Sequence, residues 1–282
     1  MPVSSAHLFA VCPRKLRRGA WLVALVALAA VVVSTAGATH AEDSLPAKEK
    51  FHLYLLVGQS NMAGRGRMTE QDKQPDPRIL MFTKDHKWKP AVDPLHFDKP
   101  VAGVGLGRSF ARVIAEQNPD VTIGLIPCAV GGSPIASWEP GGYHASTKTH
   151  PYDDMLARVK VALPAGTLKG ILWHQGESDS QPASAKVYEE KLHSMIARMR
   201  KELDAPEAPF IVGQMGVFAE RPWDDAKKMV DAAHQTLPKK VSHTAFVSAE
   251  GLGHKGDEVH FSADAYRELG KRYAKAYLEL TK

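Results

Sequence analysis

FHLYLLVGQSNMAGRG, residues 51–66, carries the clearest indication of the fold. An unbroken apolar run ends at Gly58, and small or polar residues follow it at once. Such a run predicts a strand that is buried on both faces, as in a parallel sheet covered by helices. Ser60 is then either the cap of a following helix or a hydroxyl held at the end of the strand for chemistry.

Outside this stretch, strand and helix patterns alternate along the chain. Apolar runs predict further strands at 78–83, 121–130, 168–176, 209–216 and 244–250. Helical spacing of apolar residues predicts helices at 105–118, 153–163, 184–203, 224–237 and 262–280. The alternation predicts an α/β domain with a mostly parallel sheet and helices on both faces. The segments 84–104 and 131–150 are expected to be loops, and long loops often line sites.

The net charge of +5 owes much to the first 41 residues. They hold four basic residues, Arg14, Lys15, Arg17 and Arg18, and no acidic residue. Of the 36 Lys and Arg residues, 32 remain in the rest of the chain, against 31 Asp and Glu residues. This balance gives no indication of a nucleic-acid partner.

The same 41 residues have the pattern of a secretory signal peptide. The basic residues precede an apolar segment, and small residues at Ala38 and Ala41 suit a cleavage site. An uncleaved membrane anchor is the alternative, because residues 19–38 are nearly long enough to span a bilayer. We expect a signal peptide (1–41), a short flexible lead-in (42–50) and one domain (51–282). The mature protein would then be secreted or periplasmic, with no membrane attachment.

Residues that can do chemistry follow several of the predicted strands. In open α/β sheets, ligands bind beyond the carboxyl ends of the strands. The candidates at those ends are Ser60, Gly132, Gln175, Glu177, Asp257 and His260. A serine hydroxyl needs a base to take its proton, and that base needs a partner that holds it in the right tautomer. Asp257 and His260 are three positions apart, so a turn can bring the carboxylate to the imidazole.

An acyl-transfer site also needs donors for the oxyanion that forms on the attacked carbonyl. The candidates are the backbone N–H groups of Ser60 and Gly132 and the side-chain amide of Gln175. A helix that begins at Ser60 would add a positive N-terminal dipole. The motif G-x-S-x-G is absent, because Asn61 and Met62 follow Ser60, which disfavours the nucleophile elbow of the α/β-hydrolases.

Four motifs, in this order, resemble the SGNH/GDSL hydrolase superfamily: GQSNMAGRG (58–66), PCAVGGSPIASW (127–138), WHQGESD (173–179) and DEVHFSADAYRELG (257–270). Within it they are similar to the sialate O-acetylesterase-like branch, which includes the acetylxylan esterases of carbohydrate esterase family six. The resemblance covers residues 51–280 and implies a three-layer α/β/α sandwich of flavodoxin-like type with a mostly parallel central sheet. It also implies an esterase with Ser60 as nucleophile, His260 as base and Asp257 as the partner of His260.

The remaining motif residues have more than one interpretation. The resemblance places Gln175 in the oxyanion hole, where the wider superfamily has an asparagine, and Gly131 is an alternative to its neighbour Gly132. Glu177 either supports the loops through hydrogen bonds or replaces the aspartate of the triad. Trp138 either forms a wall on which a sugar ring stacks or belongs to the core.

Together, the residues and the resemblance predict an exported serine esterase that removes O-acetyl groups from carbohydrates. Acetylated xylan or a similar polysaccharide is the first expected substrate, and acetylated sialic acid is the next. No cofactor is expected, and no metal, because the chain lacks HExxH, EF-hand or His/Asp cluster patterns. The alternatives are a lipase or thioesterase of the same fold that acts on longer acyl chains, and a non-catalytic carbohydrate-binding domain. The oligomeric state stays open.

Overall fold

The computed structural model describes residues 45–282. The predicted signal peptide at 1–41 lies outside the described residues, as does the beginning of the predicted lead-in. Lys48–Lys50 form one turn of 3-10 helix directly before the first strand. Among residues 45–282, no helix is both long enough and apolar enough to cross a bilayer.

One seven-stranded sheet runs through the described part of the chain. Its strands are β1 (Phe51–Gly58), β2 (Ile79–Phe82), β3 (Trp88–Pro90), β4 (Thr122–Pro127), β5 (Thr167–His174), β6 (Phe210–Gly213) and β7 (Thr244–Val247). The order across the sheet is β3-β2-β4-β1-β5-β6-β7. Every neighbouring pair is parallel except β2 and β3. The prediction of a mostly parallel sheet is therefore confirmed.

The antiparallel strand β3 corrects one prediction, because the segment 84–104 is not a loop throughout. Three of its residues pair with β2 at the edge of the sheet. A run of three residues is too short to show a period in the sequence, and Pro90 argues against a strand. Proline is tolerated at this place because an edge strand has one side on which no N–H group is needed.

Helices cover both faces of the sheet. They are α1 (Ser60–Ala63), α2 (Gly107–Gln117), α3 (Pro151–Ala162), α4 (Pro182–Glu202), α5 (Asp225–Lys240) and α6 (Ala263–Leu280). Along β1, Leu53, Leu55 and Val57 point into a core shared with α3, α4 and α5. Tyr54 and Leu56 point into the opposite core, shared with α2 and α6. The predicted three-layer α/β/α arrangement is confirmed, and it explains why β1 is apolar at successive positions.

Three histidines are buried in this fold. His96, His174 and His234 are at most 4% exposed. Burial disfavours the charged imidazolium. It lowers the pKa of His96 and of His234 to about 3 and the pKa of His174 to about 4. In an unfolded chain a histidine titrates near a pKa of about 6.5. Between pH 7 and pH 5 the unfolded chain therefore binds protons on these three histidines that the folded protein does not bind.

We expect the free energy of unfolding to fall as the pH drops from 7 to 5. Each of the three extra protons on the unfolded chain costs about 1.4 kcal/mol of stability per pH unit. Burial raises the pKa of Asp93 to about 6, so this carboxyl gains a proton in the folded state and offsets one of the three. The contribution of these four groups to the slope should approach about 3 kcal/mol per pH unit. Urea unfolding at pH 7, 6 and 5 measures this slope.

The variant His234→Asn tests whether the pH dependence of the unfolding free energy comes from the buried histidines, since it removes one of them. Its slope should be smaller than the wild-type slope by about 1.4 kcal/mol per pH unit. Equal stability of the wild-type protein at all three pH values would contradict the prediction.

Candidate active site

The site is built at the carboxyl end of β1. Gly58 has a φ of +131°, and a Cβ built there would lie 2.2 Å from the carbonyl oxygen of His174 on β5. Only glycine lets the backbone turn this close to the neighbouring strand. The Gln59 N–H donates to the same carbonyl at 2.9 Å, and Ser60 then begins α1. The turn leaves Ser60 beyond the end of the strand.

Ser60, His260 and Asp257 lie in a hydrogen-bonded row. Ser60 Oγ is 3.0 Å from His260 Nε2, and His260 Nδ1 is 2.7 Å from Asp257 Oδ2. An ionised carboxylate can only accept a hydrogen bond. The proton of the neutral imidazole therefore belongs on Nδ1, and Nε2 is left to accept from the serine hydroxyl. Ser60 and His260 are 200 positions apart in the sequence, and folding brings them into contact.

The turn that follows Asp257 holds its carboxylate through backbone hydrogen bonds. Its Oδ1 accepts the backbone N–H groups of Val259 at 3.1 Å and of His260 at 2.8 Å. Partial burial acts to raise the pKa of the Asp257 carboxyl, but the hydrogen bonds from His260 and Val259 outweigh it and hold that pKa well below its usual range. The carboxylate is therefore charged at neutral pH, where it can orient the imidazole and stabilise its cation.

Ser60 and Gly132 line one cavity, and the backbone N–H groups of both have no acceptor within residues 45–282. Ser60 is the first residue of its helix, so its N–H has no partner inside that helix. Gly132 has a φ of +85° and lines the same cavity as Ser60. The Gly131 N–H donates instead to Asp98 Oδ2 at 2.8 Å, which leaves Gly132 as the candidate donor of the two. Since α1 has only four residues, we expect the N–H groups to stabilise an oxyanion more than the dipole of so short a helix would.

Gln175 does not lie where the resemblance to the family predicts it. Its side chain is fully buried. Nε2 donates to the Ser133 carbonyl at 3.1 Å and to Asp179 Oδ2 at 2.6 Å, and Oε1 accepts from the Tyr188 hydroxyl at 2.9 Å. Both N–H groups of the amide are used, and Gln175 does not line the cavity beside Ser60. The prediction of Gln175 in the oxyanion hole is therefore corrected, because this amide joins buried segments behind the site.

Trp138 is a core residue and not a wall of the site. Its side chain is fully buried, and Nε1 donates to Ser133 Oγ at 3.0 Å. The ring meets that of Trp173 edge to face, with centroids 5.2 Å apart. No face is left for a sugar, so the core interpretation of Trp138 replaces the supporting role.

Glu177 lines the cavity, but its hydrogen bond goes to Asn61. Oε1 of Glu177 accepts from Asn61 Nδ2 at 2.6 Å. The imidazole nitrogen that a triad carboxylate would need is already taken by Asp257. The geometry thus favours the supporting interpretation of Glu177 over its replacing the aspartate.

The cavity beside Ser60 has a volume of about 390 Å³, and most of its lining residues have polar or charged side chains. Pro222 and Val259 are the apolar side chains among its lining residues. Two cations, Arg221 and Lys227, also line it; they follow β6 in a stretch without a motif, so no pattern in the sequence pointed to them. Within residues 45–282, no three His, Cys, Asp or Glu side chains are grouped so as to hold a metal ion.

Comparisons with known proteins identify the family of this chain. The model of a family described as carbohydrate esterase, sialic acid-specific acetylesterase, matches residues 50–279. A probable carbohydrate esterase of Arabidopsis thaliana is 33% identical over 247 residues, which cover 80% of this chain and 90% of that protein. The X-ray structure of the same Arabidopsis protein matches with a TM-score of 0.72 and 31% identity, over 83% of this chain and 99% of the other.

Two more distant structures share the fold. NanS matches with a TM-score of 0.69 at 19% identity, over 83% of this chain and 98% of the other. A carbohydrate acetylesterase from Xanthomonas citri matches with a TM-score of 0.62 at 22% identity, over 79% of this chain and 55% of the other. The resemblance drawn from the four motifs is confirmed by the family match. This chain therefore belongs to the carbohydrate esterase family of sialic acid-specific acetylesterases, and it is a carbohydrate acetylesterase.

Proposed function

We propose that this acetylesterase is an exported serine esterase in which Ser60 is the nucleophile, His260 the general base and Asp257 the residue that orients His260. The observation that carries the proposal is the unbroken row from Ser60 Oγ through the imidazole to the carboxylate, with distances of 3.0 and 2.7 Å. A serine hydroxyl is a weak nucleophile until a base accepts its proton. The unprotonated Nε2 beside Oγ supplies that base.

In the first half of the reaction, Ser60 Oγ attacks the acetyl carbonyl carbon while its proton passes to His260 Nε2. The negative charge that develops on the carbonyl oxygen is stabilised by the N–H groups of Ser60 and Gly132. His260 then gives its proton to the sugar oxygen. The ester C–O bond breaks, the sugar leaves as an alcohol, and the acetyl group stays on Ser60.

In the second half, water attacks the acetyl-enzyme and gives its proton to His260. The same N–H groups stabilise the second oxyanion. When the bond to Ser60 Oγ breaks, His260 returns the proton to Oγ and acetate leaves. The Asp257 carboxylate stays charged throughout and stabilises the imidazolium in each half.

The lining of the cavity supports a sugar ester over a long-chain ester. Hydroxyl, amide and charged side chains surround Ser60, among them Gln59, Ser178 and Gln181. Such groups hydrogen-bond to sugar hydroxyls, whereas a long acyl chain would leave them buried without partners. This argues against the lipase or thioesterase alternative. The complete row of nucleophile, base and carboxylate argues against a non-catalytic binding domain.

Two acetylated carbohydrates are candidate substrates. Acetylxylan is the first expectation from the sequence, and the description of the family names sialic acid. Arg221 and Lys227 line the cavity, and cations at this place suit the carboxylate of a sugar acid. Glu177, Asp224 and Glu258 also line the cavity, so the preference for acetylated sialic acid rests on the description of the family.

Release of acetate from the two substrates tests the assignment. We expect acetate from acetylated sialic acid at a higher kcat/KM than from acetylxylan. Among p-nitrophenyl esters, kcat/KM should fall at least about tenfold from the acetate to the octanoate, because Pro222 and Val259 are the apolar side chains of the lining and a longer chain would also cover its polar groups. A preference for the octanoate would support the lipase alternative, and the lack of acetate from any acetylated sugar would contradict the proposal.

Export is supported by the basic and apolar pattern of residues 1–41. Intact-mass analysis of the protein recovered from the periplasm or the medium tests it. A mass that starts after Ala38 or Ala41 is expected, and a full-length protein that remains with the membrane would favour the uncleaved anchor.

A further inference from the structure

Asn61 follows Ser60 directly and joins the helix of the nucleophile to the segment of the base. We infer that Asn61 is a positioning residue, which holds His260 at the distance from Ser60 that proton transfer requires. The inference rests on the proposed function, because it takes Ser60 and His260 to react together.

All four hydrogen-bonding positions of the Asn61 amide are used. The side chain is fully buried. Nδ2 donates to Glu177 Oε1 at 2.6 Å and to the Val259 carbonyl at 3.0 Å. Oδ1 accepts from the Tyr266 hydroxyl at 2.6 Å and from the Phe261 N–H at 3.4 Å. A primary amide has two donors and two acceptor sites, so this environment matches it completely.

Two of these four partners flank His260 in the sequence. Val259 presents a carbonyl and Phe261 presents an N–H, so a side chain that holds both must carry a donor and an acceptor. An aspartate would place an oxygen against the Val259 carbonyl, and an aliphatic residue would leave both backbone groups buried without partners. An amide at position 61 meets both requirements.

The turn that carries His260 has few other links to the site. Apart from the contact of His260 Nε2 with Ser60 Oγ, its remaining hydrogen bonds are internal, such as those from Val259 and His260 to Asp257 and from Lys255 N–H to the His260 carbonyl. Phe261 anchors one end by apolar packing. Within the described residues, only the bond from Asn61 reaches the backbone of 257–260 from outside the segment 253–262.

We expect Asn61→Ala to lower kcat about 100-fold while KM changes by less than about threefold. A displacement of a reacting group by about 1 Å can cost about 10²-fold in rate. The expected KM is almost unchanged because Asn61 does not line the cavity. The rate at which a fluorophosphonate labels Ser60 should fall in parallel with kcat, since labelling uses the same base.

Proton NMR separates a positioning role from a general loss of structure. The hydrogen bond between His260 Nδ1 and Asp257 is made within one turn, three positions apart. Its low-field proton resonance should therefore persist in Asn61→Ala, although the contact between Ser60 and His260 is lost. Loss of the whole turn would remove the resonance together with the activity.

Two further variants complete the test. If Asn61→Ala does not fold, Asn61→Asp is used, which keeps the shape and the two acceptor contacts but sets a carboxylate against Glu177; the same loss of kcat is expected. The control is Gln214→Ala. Gln214 is also an amide between two strand ends, bonded to Asp231 at 3.3 Å and to the Ala249 N–H at 2.9 Å, and its kcat should stay within about threefold of wild type.

The outcomes distinguish this inference from the proposed function. A folded Asn61 variant with kcat within threefold of wild type would overturn the inference. So would a loss that Gln214→Ala reproduces, or one accompanied by disappearance of the low-field resonance. Ser60→Ala is measured beside them: if it stays active, the proposed function fails, and if it is inactive while the Asn61 variants are active, the positioning role alone fails.

Discussion

Ser60→Ala should abolish esterase turnover, with kcat/KM lowered by at least about 10⁴-fold. The substitution removes Oγ, the atom that lies 3.0 Å from His260 Nε2, so the acetyl-enzyme has no atom on which to form. The proposed oxyanion donors are backbone groups and would remain, which leaves only the weak assistance that they would give to direct attack by water. Steady-state hydrolysis of p-nitrophenyl acetate measures the loss. A fluorophosphonate adduct, located by mass spectrometry, should be found on Ser60 in the wild-type protein and be absent from the variant.

The matched control is Ser180→Ala. Ser180 lines the same cavity, but its hydroxyl donates to the Gly176 carbonyl at 3.0 Å and makes no hydrogen bond to the imidazole, whose nitrogens contact Ser60 and Asp257. Its activity should stay within about threefold of wild type, and the adduct should still form. A Ser60→Ala protein that keeps more than about one hundredth of the wild-type activity would mean that the nucleophile is another residue.

Asp257→Asn should lower kcat by about 10³- to 10⁴-fold, with little change in KM. The side chain keeps its shape, but an amide can turn its NH₂ group toward His260 Nδ1 and donate to it. The imidazole proton then moves to Nε2, and Nε2 can no longer accept from Ser60. The loss therefore comes from the wrong tautomer, and not from displaced groups. Hydrolysis of the preferred acetylated sugar, with kcat and KM measured separately, checks both parts.

Lys255→Ala is the control for the charge around Asp257. Its Nζ lies 3.3 Å from Asp257 Oδ2, but it is partly exposed, and such pairs contribute little. Its kcat should stay within about threefold of wild type. If Asp257→Asn retained more than a tenth of the activity while Glu177→Gln lost it, Glu177 would be the third member of the triad after all.

The wrong prediction for Gln175 shows that a motif can identify a segment of the site without predicting where each of its side chains lies. The motif WHQGESD identifies a segment that lies behind the nucleophile, and Glu177 of this motif does reach the cavity. Gln175 is two positions earlier, and the same turn directs its amide into the core, where Ser133 and Asp179 take both donors. The number of polar partners around a buried amide depends on neighbouring loops. The residue spacing within one motif carries no information about those loops. Trp138 was ambiguous for the same reason.

Asn61 is the converse case. It stands inside the motif quoted first, yet in the sequence its only visible role is to exclude the G-x-S-x-G pattern. Its four partners come from positions 177, 259, 261 and 266, which no local pattern connects.

Features that depend on short-range chemistry could be predicted from the sequence. A continuous apolar run makes β1 a strand buried on both faces, a glycine at its end permits the turn to Ser60, and the three-residue spacing brings Asp257 to His260. These depend on neighbours within a few positions, so they can be read from the chain. The tertiary structure alone decided the 3.0 Å contact across 200 positions, the burial of Gln175 and the short edge strand β3. Each of these results from packing between distant segments, whose mutual distances are set only when the two cores close around the sheet.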